Sequence, residues 1–261
     1  CGTEELFRAD ESRAEDSFQR KGEAGDDPCS GKKQQTGCGA ENLLSSKEAG
    51  RGGNRMITIN HLFFIFLGYL SGSVLYAYLL PKYIKKIDVT KESADGNPGA
   101  ANAIQHGGIL LGSAALVLEL LKGYLPVHLA LGVLNPEEWC FGLVLAAPVL
   151  GHAFPFWNLK LGGKSIAVSF GVLLGLIPDW QPVLLLAAWY LLFSLVIVIR
   201  PHFFRSVFTF LLFCAGMIWQ RAAAGVLLGS GILSGVVIWK HLVRYQKERL
   251  EICFPLLMKR R

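Results

Sequence analysis

From residue 56 onward the chain consists of seven apolar runs separated by short charged breaks, at about 59–80, 109–131, 139–157, 166–178, 183–199, 203–219 and 223–241. Inside hydrocarbon a backbone N–H or C=O finds no water. A crossing segment must therefore satisfy its own backbone, which a helix of about 20 apolar residues does. The pattern predicts an all-α, polytopic integral membrane protein of about seven transmembrane helices. The fourth run is short for a span and is expected to tilt, to pair with a re-entrant turn, or to borrow length from the preceding loop. A hydrophobic content of 52% and a mean hydropathy of +0.38 exclude an ordinary soluble domain. The chain shows no internal repeat.

The charges fix an orientation. Lys82, Lys85, Lys86 and Lys91 follow the first run, Lys160 and Lys164 the third, and Arg200 and Arg205 the fifth. Lys240, Arg244, Lys247 and Arg249 close the seventh. Glu137 and Glu138 precede the third run, Asp179 follows the fourth, and only Arg221 opposes the trend. By the positive-inside rule the odd-numbered breaks and the C-terminus face the cytoplasm and the N-terminus lies outside. A basic balance also suits nucleic acid, but these charges sit at membrane edges, so the bilayer is the expected partner and nucleic acid is not.

Residues 1–55 carry nine Lys/Arg against 11 Asp/Glu and lack the apolar periodicity a core needs. They also lack the apolar centre of a signal peptide. They are expected to be a disordered, non-native leader, with translation starting at Met56, which intact-mass analysis of protein from its own host would check. Residues 56–250 form the membrane domain and 251–261 a basic cytoplasmic tail. No pair of the six cysteines has metal-ligand spacing, so small buried hydrophobes are expected.

Chemistry concentrates in two glycine-rich breaks. The stretch GHAFPFWNLKLGGKS, 151–165, holds Gly162, Gly163 and Lys164 just before an apolar run that can begin a helix. A helix N-terminus with free N–H groups beside a lysine is an anion site, most naturally for phosphate. The Walker spacing is missing, since Asn158 stands where its first glycine belongs. The longest inside segment ends ADGNPGAAN, 94–102, ordinarily a turn. It also offers N–H groups and the Asn97 and Asn102 amides to a ligand. Both breaks fall on one membrane face.

Charge inside an apolar run is costly and marks function by default. Glu119 and Lys122 stand i, i+3 on one helix face, either as a structural pair or with Lys122 as an anion ligand held by Glu119. His152 is a packing residue or a phosphate donor or base. Gly72 and Ser73 suit small-residue helix packing. Trp139, Trp157, Trp180 and Trp219 read as interface anchors.

Taken together, Gly72-Ser73, DGNPGAAN at 95–102, ELLKG at 119–123, GHAFPFW at 151–157 and LGGKSIAVSFG at 161–171 resemble the PlsY family, the acyl-phosphate:glycerol-3-phosphate acyltransferases. His241 and its basic tail are similar to the family's C-terminal element. The resemblance implies transfer of a fatty acyl group from acyl phosphate to the 1-hydroxyl of glycerol 3-phosphate at the inner (plasma) membrane. The products are lysophosphatidic acid and phosphate, with no cofactor and no metal. It implies Asp95, Asn97 and His241 as catalytic residues. Ser73, Gly96, Gly99, Asn102, Lys122, His152, Gly162, Gly163 and Lys164 would bind substrate. Where the family has serine, threonine, arginine and asparagine, this chain has Asp95, Ala101, Gln105 and Arg244. A catalytically impaired or altered-substrate paralogue and a small organic-anion transporter are the alternatives.

Overall fold

The structure is a computed structural model that describes residues 59–245 and 250–253. The expectations for the 1–55 leader and for most of the basic tail lie outside the described residues.

Helix α1 (residues 59–73) and α2 (Tyr76–Ile84) make the first candidate span, Ile59–Ile84. After the short α3 (Val89–Glu92) come α4 (Ala100–Gly107), α5 (Ile109–Leu131), α6 (Phe141–Ala153), α7 (Ile166–Leu174) and α8 (Gln181–Leu191). A π-turn at Leu192–Val196 leads into β1 (Val198–Arg200), followed by α9 (His202–Trp219), α10 (Ala224–Val243) and β2 (Glu251–Cys253). The strands pair antiparallel with Val198 opposite Cys253 and Arg200 opposite Glu251.

The protein is a multi-pass, helical membrane protein. Among the described residues four helices are long and apolar enough to cross a bilayer: Ile59–Ile84, Ile109–Leu131, His202–Trp219 and Ala224–Val243. Three of the seven runs make shorter helices. Helix α7 has nine residues, which at 1.5 Å per residue reaches only about 14 Å, so it cannot cross alone. The fifth run was expected as apolar helix to residue 199. Instead it ends in the π-turn and β1, and residues 251–253, read as the start of a tail, pair with that strand. Apolar composition cannot separate a buried strand from a helix end, and the pairing partner lies some 50 residues away.

Helix α6 packs on α10, α5 on α7 and α4, and α9 on α8 and α10. Phe141, Leu145, Leu173, Phe210, Phe213 and Met217 fill the core, while Leu110, Trp139, Trp219 and Val243 stay exposed on the outer surface. An exposed apolar exterior is what lipid contact requires. The two ends of the bundle are distinct. At one end Gly225 N–H donates to Pro136 O at 3.0 Å, and His61 lies 3.6 Å from Glu138. This joins the start of α1 to the α5–α6 and α9–α10 turns. The loops 85–99 and 154–165 and the end of α10 gather at the other.

The first span is broken at Val74–Leu75, and buried charge repairs the break. Lys122 Nζ donates to Val74 O at 2.5 Å, and Ala77 N–H donates to Glu119 Oε1 at 3.1 Å. Ser71 Oγ–H donates to Lys122 O, and the Trp157 indole donates to Ser73 O. Within hydrocarbon a helix break survives only where neighbouring groups re-satisfy its backbone. Glu119 and Lys122 thus make the contacts that the structural alternative calls for. Lys122 sits 2.6 Å from Glu119, both are almost wholly buried, and His152 Nδ1 closes the cluster at 3.1 Å from Glu119 and 2.9 Å from Lys122.

Candidate active site

The site grows from two loops that lie far apart in the chain and meet through their backbones. Between α3 and α4 the chain turns sharply at Gly96, whose φ of +59 suits a residue without Cβ. Asn97 N–H donates to Asp95 Oδ1 at 3.1 Å, an Asx turn of the kind that aspartate favours. Asn102, in the first turn of α4, donates its amide to Asp95 Oδ1 at 2.9 Å and to Asn97 O at 2.8 Å. The loop is thus rigid before anything else contacts it.

The second loop is Leu161–Ser165. Gly163 N–H donates to His152 O at 3.1 Å, and Lys164 N–H donates to Asn97 Oδ1 at 3.1 Å. The anion-cradle expectation for this turn relied on free N–H groups, and two of them have partners within the protein. Both of these N–H groups are spent on locking the turn to α6 and to the other loop. The double glycine exists for close approach: Gly162 and Gly163 are buried, and a Cβ on Gly163 would run into the His152 ring. Lys240 reinforces the same seam by donating to Ala153 O at 2.9 Å.

Lys164 extends its side chain across the seam to Asp95, with Nζ 2.9 Å from Oδ2. Burial of the loop pushes the Asp95 carboxyl up. The Lys164 ammonium, the Asn102 amide and the Asn97 N–H outweigh it and hold the group at about 2, from an ordinary 3.8. The folded state thus prefers the carboxylate. The stabilisation is fully present above pH about 4 and drains away as pH falls toward 2. The melting-temperature gap between wild type and Asp95→Asn is therefore expected to hold steady down to pH about 5 and to close below it. A gap as wide at pH 2 as at pH 7 would refute the ion pair.

A cavity of about 420 Å³ opens beside this pair. Asp95, Asn102, Lys164 and His241 line it together with Gln105, Arg244 and Tyr245. His241, in the last turn of α10, is buried, and its Nδ1 lies 2.8 Å from Val237 O. With Nδ1–H donating to that carbonyl, Nε2 is left as an acceptor.

The remaining sequence-derived site residues stand elsewhere. Gly96, Asn97, Gly99, Gly162 and Gly163 build the loops behind the cavity wall. Lys122 and His152 belong to the buried cluster with Glu119, and Ser73 Oγ–H donates to Tyr69 O within α1. None of these three lines the cavity. Conversely, His106 and His202 line it without any sequence signal. One ends α4 and the other starts α9, and nothing local records their meeting.

A cavity between two loops at one end of a helical bundle invites comparison with known proteins. A sequence profile for glycerol-3-phosphate acyltransferase matches residues 62–249. A glycerol-3-phosphate acyltransferase of Myxococcus xanthus (strain DK1622) is 40% identical over 115 residues, covering 44% of this chain and 59% of that protein. One from Pseudomonas aeruginosa (strain LESB58) is 37% identical over 181 residues, covering 67% of this chain and 88% of the relative. The fold agrees with a crystal structure of PlsY, an integral membrane glycerol 3-phosphate acyltransferase in its glycerol 3-phosphate form. That match has a TM-score of 0.63 and 23% identity, over 77% of this chain and 99% of the other. With the profile spanning most of the chain and the Pseudomonas relative in agreement, the chain belongs to the glycerol-3-phosphate acyltransferase family.

Proposed function

We propose that the protein transfers a fatty acyl group from acyl phosphate to the 1-hydroxyl of glycerol 3-phosphate, on the cytoplasmic face of the cell's inner membrane. The observation that carries this reading is the shared cavity lined by Asp95, Asn102, Lys164, His241 and Arg244. Family membership supports the reaction class. The excess of lysine and arginine in the breaks at this end of the bundle supports the orientation.

Acyl phosphate is already an activated donor, so the chain's contribution is positioning and charge stabilisation. The acceptor hydroxyl oxygen attacks the acyl carbon, a C–O ester bond forms, the C–O bond to phosphate breaks and inorganic phosphate leaves. The hydroxyl proton passes to His241 Nε2 and from there to the departing phosphate. Lys164, held in place by Asp95, faces the charge that builds on the carbonyl oxygen. Asn102 fixes Asp95, and the glycine turns fix the distance between the two loops.

The test is direct. Purified protein in nanodiscs, supplied with acyl phosphate and labelled glycerol 3-phosphate, is expected to yield lysophosphatidic acid and phosphate in equal amounts. No lysophosphatidic acid at any protein concentration would reject the reading.

A further inference from the structure

Charge is not evenly available in the cavity. Lys164 is matched: its ammonium sits 2.9 Å from the Asp95 carboxylate, whose second oxygen is taken by Asn102 and Asn97. A phosphate approaching Lys164 also approaches Asp95, and two anions repel. Arg244 stands differently. It follows α10 directly, is half-buried, and reaches across both loops. One guanidinium nitrogen donates to Gly162 O at 3.0 Å. The other reaches Asp95 O and Asn97 Oδ1, each at a long 3.4 Å. All three acceptors are neutral. Among the described residues no carboxylate lies within ion-pair distance of this guanidinium. Arg244 is therefore a permanent cation on the cavity wall, hydrogen-bonded to neutral acceptors, with the Asp95 carboxylate acting on its charge from beyond ion-pair distance.

We propose that Arg244 is the residue that seats the phosphate of the acceptor. This deepens the acyl-transfer reading and rests on it for the identity of the acceptor. The planar fork of a guanidinium matches a phosphate through two parallel hydrogen bonds, which an ammonium cannot copy. Exchanging two 3.4 Å contacts for charge-assisted bonds favours the bound state. The exchange leaves Lys164 and Asp95 paired to face the reacting carbonyl. The other charged or ionisable lining groups are Glu92, His106, His202, His241 and Tyr245. Glu92 is an anion, and the histidines are cations only when protonated. Gln105, neutral, lines the same cavity, so a cation introduced there samples the same space.

The experiment compares wild type with Arg244→Gln, Arg244→Lys and the double variant Arg244→Gln/Gln105→Arg, each purified in nanodiscs. Acyl phosphate is held saturating and glycerol 3-phosphate is varied, with inorganic phosphate as competitor. Loss of a charge-assisted fork is expected to raise KM for glycerol 3-phosphate about tenfold or more, with kcat changed far less. Inorganic phosphate should inhibit correspondingly less. Arg244→Lys should recover only part of the loss. The double variant should recover most of it, because it restores charge to the cavity without restoring the bonds to Gly162, Asp95 and Asn97. An unchanged KM, a fall confined to kcat, or a double variant no better than Arg244→Gln would overturn the proposal. Should wild type make no lysophosphatidic acid, the acyl-transfer reading fails. Binding of labelled inorganic phosphate to the same four proteins then decides this one: equal binding by wild type and Arg244→Gln overturns it, and binding lost in Arg244→Gln and regained in the double variant upholds it. If Arg244→Gln does not fold, Arg244→Lys and the double variant carry the same comparison.

Discussion

Glu119→Ala is expected to destabilise the protein by about 3–5 kcal/mol, the cost of stranding a buried charge. Removing the carboxylate strips Lys122 of its partner at 2.6 Å, and neither residue has water to turn to, since both are buried. The same change removes the acceptor of Ala77 N–H, so the break in the first span loses one of its repairs. Glu119→Gln should be milder, because an amide oxygen still accepts from Ala77, although Lys122 stays uncompensated. The double variant Glu119→Leu/Lys122→Met should stand between, since it deletes both charges but leaves Val74 O without its donor and Ala77 N–H without its acceptor. Thermal unfolding of the protein in detergent, followed by size-exclusion fluorescence, reads all three. A Glu119→Ala midpoint equal to wild type would show that the cluster does not support the broken helix.

Gly163→Ala is expected to cut kcat/KM for acyl transfer about 100-fold with far less effect on folding, since misplacing a catalytic group by an ångström has that scale of effect. The added methyl meets the His152 ring. That ring cannot turn aside, because its Nδ1 is held between Lys122 and Glu119. The strain must instead move the turn, and with it Lys164, away from Asn97 and Asp95. Gly231→Ala provides the control, because a Cβ there meets nothing within 4 Å. Equal activities for the two variants would sink the idea that the turn's seat against α6 sets the catalytic geometry.

The two expectations share a physical origin. His152 touches the Glu119–Lys122 pair with Nδ1 and backs Gly163 with the rest of its ring. The buried ion pair thus supports the active-site turn through a single side chain. On the sequence, Lys122 reads equally well as an anion ligand or as half of a structural pair, and His152 reads more readily as a packing residue than as a phosphate donor or base. Only the broken first span, whose unpaired Val74 carbonyl and Ala77 amide demand partners, explains why charge is kept so deep in the bundle.

Much was legible in advance because it is local. Twenty apolar residues in a row demand helix in hydrocarbon wherever they occur, so the all-α membrane class and the positions of the main helices follow from composition and length. The two glycine-rich breaks were legible for the same reason, since polar turns between apolar runs must fall at the membrane surface. What required the tertiary structure is every relation across long separations. Lys164 N–H meets Asn97 across 67 positions, and Arg244 meets the Asp95 carbonyl across 149. It also revealed that the glycine turn uses the Gly163 and Lys164 N–H groups to hold the loops together, and that the fifth run ends in a π-turn and a strand. Those outcomes depend on which helix faces pack together, and packing is a property of the whole bundle that no window of sequence contains.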